Sequence, residues 1–97
     1  MQFILIARDK PGALTIRQAI RPQHLEYLKS ISAYIVFAGP IIDKAGEPCG
    51  SVIVYDVTDR EIATHLIEND PYAKAGLFGK VEILAFRTVV RNGVVTA

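Results

Sequence analysis

The chain has no tryptophan, one cysteine and two histidines, and each shortage narrows what it can be. A lone cysteine cannot close an intrachain disulfide, and with two histidines beside it a structural zinc site lacks ligands. No apolar run approaches the ~20 residues needed to span a bilayer. The opening MQFILIARDK has no basic stretch before its apolar run and no small-residue cleavage site after it, so it is not expected to be a signal peptide. Charge of one sign is lacking too: 11 Lys and Arg against 10 Asp and Glu leave +1, too balanced for a protein that tracks nucleic-acid phosphates. Gly39, Gly46 and Gly50 form neither a GxGxxG nor a Walker pattern, which speaks against a nucleotide site. With 7 Gly and 5 Pro in 97 residues the composition is neither disordered nor collagen-like.

What is abundant is apolar surface, 51% of residues. No repeat, low-complexity tract or linker interrupts the chain, so residues 1–97 read as one domain, expected to be cytoplasmic. Met1–Arg8 reads as a strand stopped by the turn residues Asp9, Lys10, Pro11 and Gly12. Ala13–Ser32 follows a helical rhythm through Leu14, Leu25, Leu28 and Ile31. Pro22 interrupts it, so a short turn to Ile20 and a main helix from near Arg21 are expected. Tyr34–Ile42 reads as a strand with a bend or end at Gly39-Pro40, Asp43–Gly50 as a turn segment, and Ser51–Val57 as a third strand. Thr58 and Glu61 have capping-box spacing for a second helix reaching about Glu68. Asn69–Gly79 reads as a loop and Val81–Val90 as a fourth strand. Asn92-Gly93 signals a hairpin that returns the last residues as a short fifth strand.

The order β-α-β-β-α-β predicts an α+β, ferredoxin-like sandwich: an antiparallel four-stranded sheet with both helices on one face. The other face should then alternate to polar residues, and it does not. In the last strand Val81, Ile83, Ala85 and Val89 lie on one side, but Leu84, Phe86 and Val90 lie on the other. Each large side chain left wet forfeits about 1.5–3 kcal/mol of burial. A homodimer through the open sheet faces is the expected remedy.

This topology brings the start of the first helix, the Asp43–Gly50 segment and the Asp70–Gly79 loop to one edge. His24 and Asp70 are therefore expected as neighbours. A carboxylate beside an imidazole fixes its tautomer and equips it as a general base, and a helix N-terminus would favour developing negative charge. On residue types alone, a histidine near a helix start is more often solvated and an Asp before Pro more often simple turn chemistry. The remaining candidates read blandly. His65 is expected as a partly exposed helical residue, Cys49 as an ordinary thiol in a turn, and Arg17 and Arg21 as solvated, though the two could hold an anion. Tyr34, Tyr55, Phe86 and Phe3 suggest stacking as in RNA-recognition sheets, but the accompanying basic segment is missing.

Three strings are more specific: Arg21-Pro22-Gln23-His24-Leu25-Glu26-Tyr27-Leu28, Ala38-Gly39-Pro40, and Asn69-Asp70-Pro71-Tyr72-Ala73-Lys74-Ala75-Gly76-Leu77-Phe78. With them the chain resembles the YciI-like (YCII-related) family from its first strand to Val81-Glu82-Ile83, departing at the tail Arg91–Ala97. The resemblance implies a ferredoxin-like domain that pairs as a dimeric α/β barrel, with a catalytic histidine–aspartate pair that falls on His24 and Asp70. Relatives of the wider group include muconolactone isomerases, cofactor-free monooxygenases and a dehydrochlorinase. The implied activity is a cofactor-independent lyase or isomerase removing a proton from a small cyclic or aromatic molecule. Arg21 and Tyr72, flanking the pair in sequence, would bind a polar group of that substrate. The competing expectation is a non-catalytic small-molecule-binding or dimerisation domain.

Overall fold

Period-two burial along Gln2–Asp9, with Phe3, Leu5 and Ala7 buried between less buried neighbours, makes β1 a strand with one packed face. The computed structural model describes residues 1–96. After β1 come α1 (Leu14–Ser30), a 3₁₀ turn (Ser32–Tyr34), β2 (Ile35–Ile42), β3 (Pro48–Asp56), α2 (Arg60–Glu68), α3 (Pro71–Lys74) and β4 (Phe78–Phe86). A terminal hairpin of β5 (Val90–Arg91) and β6 (Val94–Val95) follows. The main sheet has the order β2-β3-β1-β4, and every neighbouring pair is antiparallel. This is the expected ferredoxin-like α+β arrangement. The core lies between the sheet face of Phe3, Leu5, Ile53 and Tyr55 and the helix residues Ile31, Ala63 and Ile67.

Several boundaries differ from the sequence reading, for local reasons. Pro22 does not break the first helix: α1 runs unbroken through it from Leu14. Pro22 and Gln18 are both exposed, so the Gln18 carbonyl that loses its amide partner faces water rather than the core. In α2 the cap is Asp59 rather than Thr58, its carboxylate accepting from the Ile62 amide at 3.1 Å. The turn between β2 and β3 tightens around Asp43, whose side chain accepts from the amides of Ala45 and Glu47. The pairing therefore extends to Ile42 and Pro48, through Gly39-Pro40, and Cys49 lies half-buried in a strand rather than in a turn. At the other end β4 stops at Phe86, and the Asn92-Gly93 hairpin pairs β5 with β6 instead of adding a strand to the main sheet.

Candidate active site

Along α1 and its two cap residues, Ala13, Arg17, Ile20, His24, Tyr27 and Ile31 recur at alternating intervals of four and three. All six are buried or half-buried. That spacing keeps one helix face turned inward over the whole length. Two polar side chains thus ride on the packed stripe, Arg17 and His24. Because α1 starts at Leu14, His24 lies in its interior, and the expected help from a helix N-terminus does not apply.

The partner of His24 comes from the segment read as a loop, where one helical turn is capped at both ends. Asp70 is its N-cap: Oδ1 accepts from the Tyr72 amide at 2.9 Å, and Pro71 takes the first helical position, where no amide is needed. At the other end Gly76 adopts φ 72°, the Gly76 amide donates to Ala73 O, and the Leu77 amide donates to Tyr72 O. These two bonds are the Schellman pattern, which favours glycine at this position and an apolar residue after it. Leu77 is fully buried there. The string from Asp70 to Leu77 is thus a self-contained turn whose cap faces α1.

His24 Nδ1 lies 2.9 and 3.0 Å from the two Asp70 carboxylate oxygens, and Asp70 has no exposed surface. An ionised carboxylate only accepts, so Nδ1 carries the hydrogen and the neutral ring keeps its lone pair on Nε2. The Asp70 carboxylate therefore serves as both turn cap and imidazole partner. Tyr72 stacks on the His24 ring with centroids 3.9 Å apart and planes 17° from parallel. Burial raises the phenol pKa of Tyr72, an effect the Arg17 and Arg21 charges partly offset. Burial, reinforced by the Asp70 charge, likewise raises Tyr27 and Tyr55. The surroundings of the pair are accordingly neutral phenols.

Arg17 departs from expectation: it is 4% exposed, not solvated. Its Nε and Nη2 donate to the two Asp9 oxygens at 2.7 and 3.0 Å, Nη2 also donates to Ser51 Oγ at 2.9 Å, and the guanidinium carbon lies 4.6 Å from the Tyr72 ring centre. Burial alone would lower its pKa, but the Asp9 hydrogen bond and charge, with help from Tyr72, raise it overall. Arg21 is exposed, as expected, and stands at the rim. Asp9 and Ser51 are not singled out in the sequence, and Arg17 reads there as solvated, with holding an anion alongside Arg21 as its alternative. The four-three spacing that carries Arg17 onto the His24 stripe was the available signal for it.

These groups border a cleft of about 230 Å³, which Arg17, Arg21, His24, Ser51 and Tyr72 line together with apolar side chains such as Leu25 and Val52. An apolar cavity of roughly 150 Å³ holds benzene, so this volume suits a single substituted ring. His65 is exposed and distant in role, its carbonyl serving the end of α2. Among the described residues no three His, Cys, Asp or Glu side chains are grouped as a metal site requires, and no helix is long and apolar enough to cross a membrane.

A model of the YCII-related domain matches residues 1–87. The chain belongs to the YCII-related family. An uncharacterised protein of Haemophilus influenzae is 31% identical over 97 residues, covering 92% of this chain and 99% of the relative. The protein YciI of Escherichia coli is 29% identical over the same shares. Among solved structures, a similar one is the 5-chloro-2-hydroxyhydroquinone dehydrochlorinase TftG of Burkholderia phenoliruptrix in complex with 2,5-dihydroxybenzoquinone. It is 28% identical with a TM-score of 0.83, covering 90% of this chain and 94% of that one. A putative antibiotic biosynthesis monooxygenase of Bacteroides thetaiotaomicron, 12% identical at TM-score 0.59 over 95% of this chain and 91% of that one, shares the fold. The family match ends before the terminal hairpin, which starts at Val90.

Proposed function

We propose that the protein is an enzyme of lyase or isomerase type that removes a proton from a small ring compound, with His24 as general base and Asp70 orienting it. The observation that carries this reading is the buried His24–Asp70 contact, which leaves Nε2 as the basic nitrogen of a side chain bordering a ring-sized cleft. Supporting it, a structure similar over nine-tenths of the chain is a dehydrochlorinase holding a dihydroxybenzoquinone. In the keto tautomer of such a chlorinated hydroxyhydroquinone one ring carbon carries both hydrogen and chlorine. Nε2 takes the proton of the hydroxyl conjugated to it, the O–H pair becomes a carbonyl, the ring double bond shifts and chloride departs, leaving a hydroxyquinone. No change of oxidation state at the protein is involved, and side chains alone serve the proton transfer. Arg21 at the rim and Tyr72 beside the imidazole bind a polar substituent of the ring.

The test is chloride release from 5-chloro-2-hydroxyhydroquinone by the wild type and by His24→Ala. Turnover by the wild type that falls roughly 10²–10⁴-fold in the variant supports the reading. Equal rates contradict it, and binding without turnover in the wild type favours a non-catalytic ligand-binding domain.

The same reading makes the working unit a cytoplasmic homodimer joined through the open sheet face. Across that face the register sets Phe37 beside Val54, Val54 beside Ile4, and Ile4 beside Leu84. Phe37 is 53% exposed, Leu84 47% and Phe86 37% in the single chain, large wet apolar side chains of the kind that pair with a second copy, while Val54 between them is already buried.

A further inference from the structure

The hydrogen bonds around Arg17 have a consequence for what the cleft accepts. Ser51 Oγ receives the Arg17 Nη2 hydrogen, so the hydroxyl's own hydrogen is left to donate, and Ser51 borders the cleft. Its position is closely fixed. Arg17 is held by both Asp9 oxygens, and at the preceding residue a Cβ on Gly50 would lie 2.5 Å from the Ala7 carbonyl oxygen, so β3 approaches β1 there in a way only glycine allows. Tyr72 also borders the cleft and brings a second hydroxyl, kept protonated because its pKa is raised by burial. Neither Arg17 nor Arg21 can accept a hydrogen bond at all. The Ser51 and Tyr72 hydroxyls therefore offer donors to the cleft beside the His24 Nε2 lone pair.

We propose that Ser51 and Tyr72 form an oxyanion-holding end of this cleft, with Arg17 as the positioning residue that sets Ser51, and that the substrates are planar rings whose acidic hydroxyl or carbonyl is conjugated to the reacting carbon. The proposal rests on His24 acting as the base. As Nε2 takes the proton, the electron pair of the broken O–H or C–H bond is shared between the conjugated ring and its oxygen, and the resulting phenolate or enolate is met by hydroxyl donors already in place. A ring lacking such an oxygen would fit the apolar wall but leave the donors unpaired.

The probe is 4-nitrophenol, a single ring with one ionisable oxygen whose ionised form absorbs visible light. Its methyl ether, 4-nitroanisole, has the same ring with the oxygen capped. Bound to the wild type near neutral pH, 4-nitrophenol is expected to gain phenolate absorption over the free compound, and Ser51→Ala to weaken its binding by roughly 10- to 100-fold. Binding of 4-nitroanisole should be the same in both proteins. Ser51→Ala leaves the Arg17–Asp9 pair intact, and Ser51→Thr, which restores a hydroxyl, should recover the phenolate signal. In His24→Ala the phenolate signal should persist, because the donors do not depend on the imidazole. That arm separates the two ideas: a failed base leaves the signal, whereas a failed oxyanion site removes it while chloride release still depends on His24. Bound nitrophenol that stays un-ionised, no binding to the wild type, or equal binding to wild type and Ser51→Ala overturns the proposal.

Discussion

At the residue scale, one carboxylate performs two tasks that substitution can separate. Asparagine caps a helix about as well as aspartate but carries no charge. Asp70→Asn should therefore keep the α3 turn folded while reducing turnover, whereas Asp70→Ala should also lose about 1 kcal/mol of stability in urea melts. Tyr55 provides a second test. Its hydroxyl is buried and has no hydrogen-bond partner among the described residues, and its pKa is raised by burial and the nearby Asp70 charge. Removing an unpaired buried hydroxyl relieves its desolvation cost, so Tyr55→Phe should match or exceed the wild type by about 1 kcal/mol at neutral pH. Raised phenol pKa values at Tyr27, Tyr55 and Tyr72 also set a sign. The folded chain holds these protons more tightly than the unfolded one. Their contribution is complete below about pH 10 and is lost as pH rises through the folded values. Tyr55→Phe should lessen that alkaline loss, as followed by melting temperature against pH.

At the element scale, α3 shows what can and cannot be read from a short segment. The Asp70-Pro71 pair and Gly76 are legible as turn signals, and the turn they build is present. Four residues are too few for any periodicity, however, so a helical turn and a loop look alike until the caps at both ends are seen together. In α1 the proximity of His24 to Asp70 followed from topology, but the length of the helix did not. Pro22 suggested a break that solvent on its exposed side makes unnecessary. Arg17 reads as solvated because a charged residue ordinarily is. Only its place on the four-three stripe, and a buried Asp9 within reach, override that. For the same reason Gly76→Ala should act beyond its own position. A Cβ at φ 72° costs roughly 1–2 kcal/mol. Because α3 carries both Asp70 and Tyr72, urea stability and turnover should fall together.

At the scale of the whole molecule, the sheet divides the labour: one face builds the core, and the other leaves Phe37, Leu84 and Phe86 exposed in the single chain. The apolar character of that second face was evident from the failure of the strands to alternate. Leu84→Glu, placed at its exposed part, should shift sedimentation to the monomer and leave the core face of the sheet intact. The terminal hairpin lies outside the family match and displays Val90, Val94 and Val95 to solvent. Everything said of the chemistry depends on His24 offering a basic nitrogen to a ring in the cleft. The most direct measurement is the chloride-release rate of His24→Ala with and without added imidazole. The rate should lie far below the wild type and rise with imidazole concentration, as a small base enters the space the side chain left. A variant that works at the wild-type rate without imidazole would contradict that role for His24.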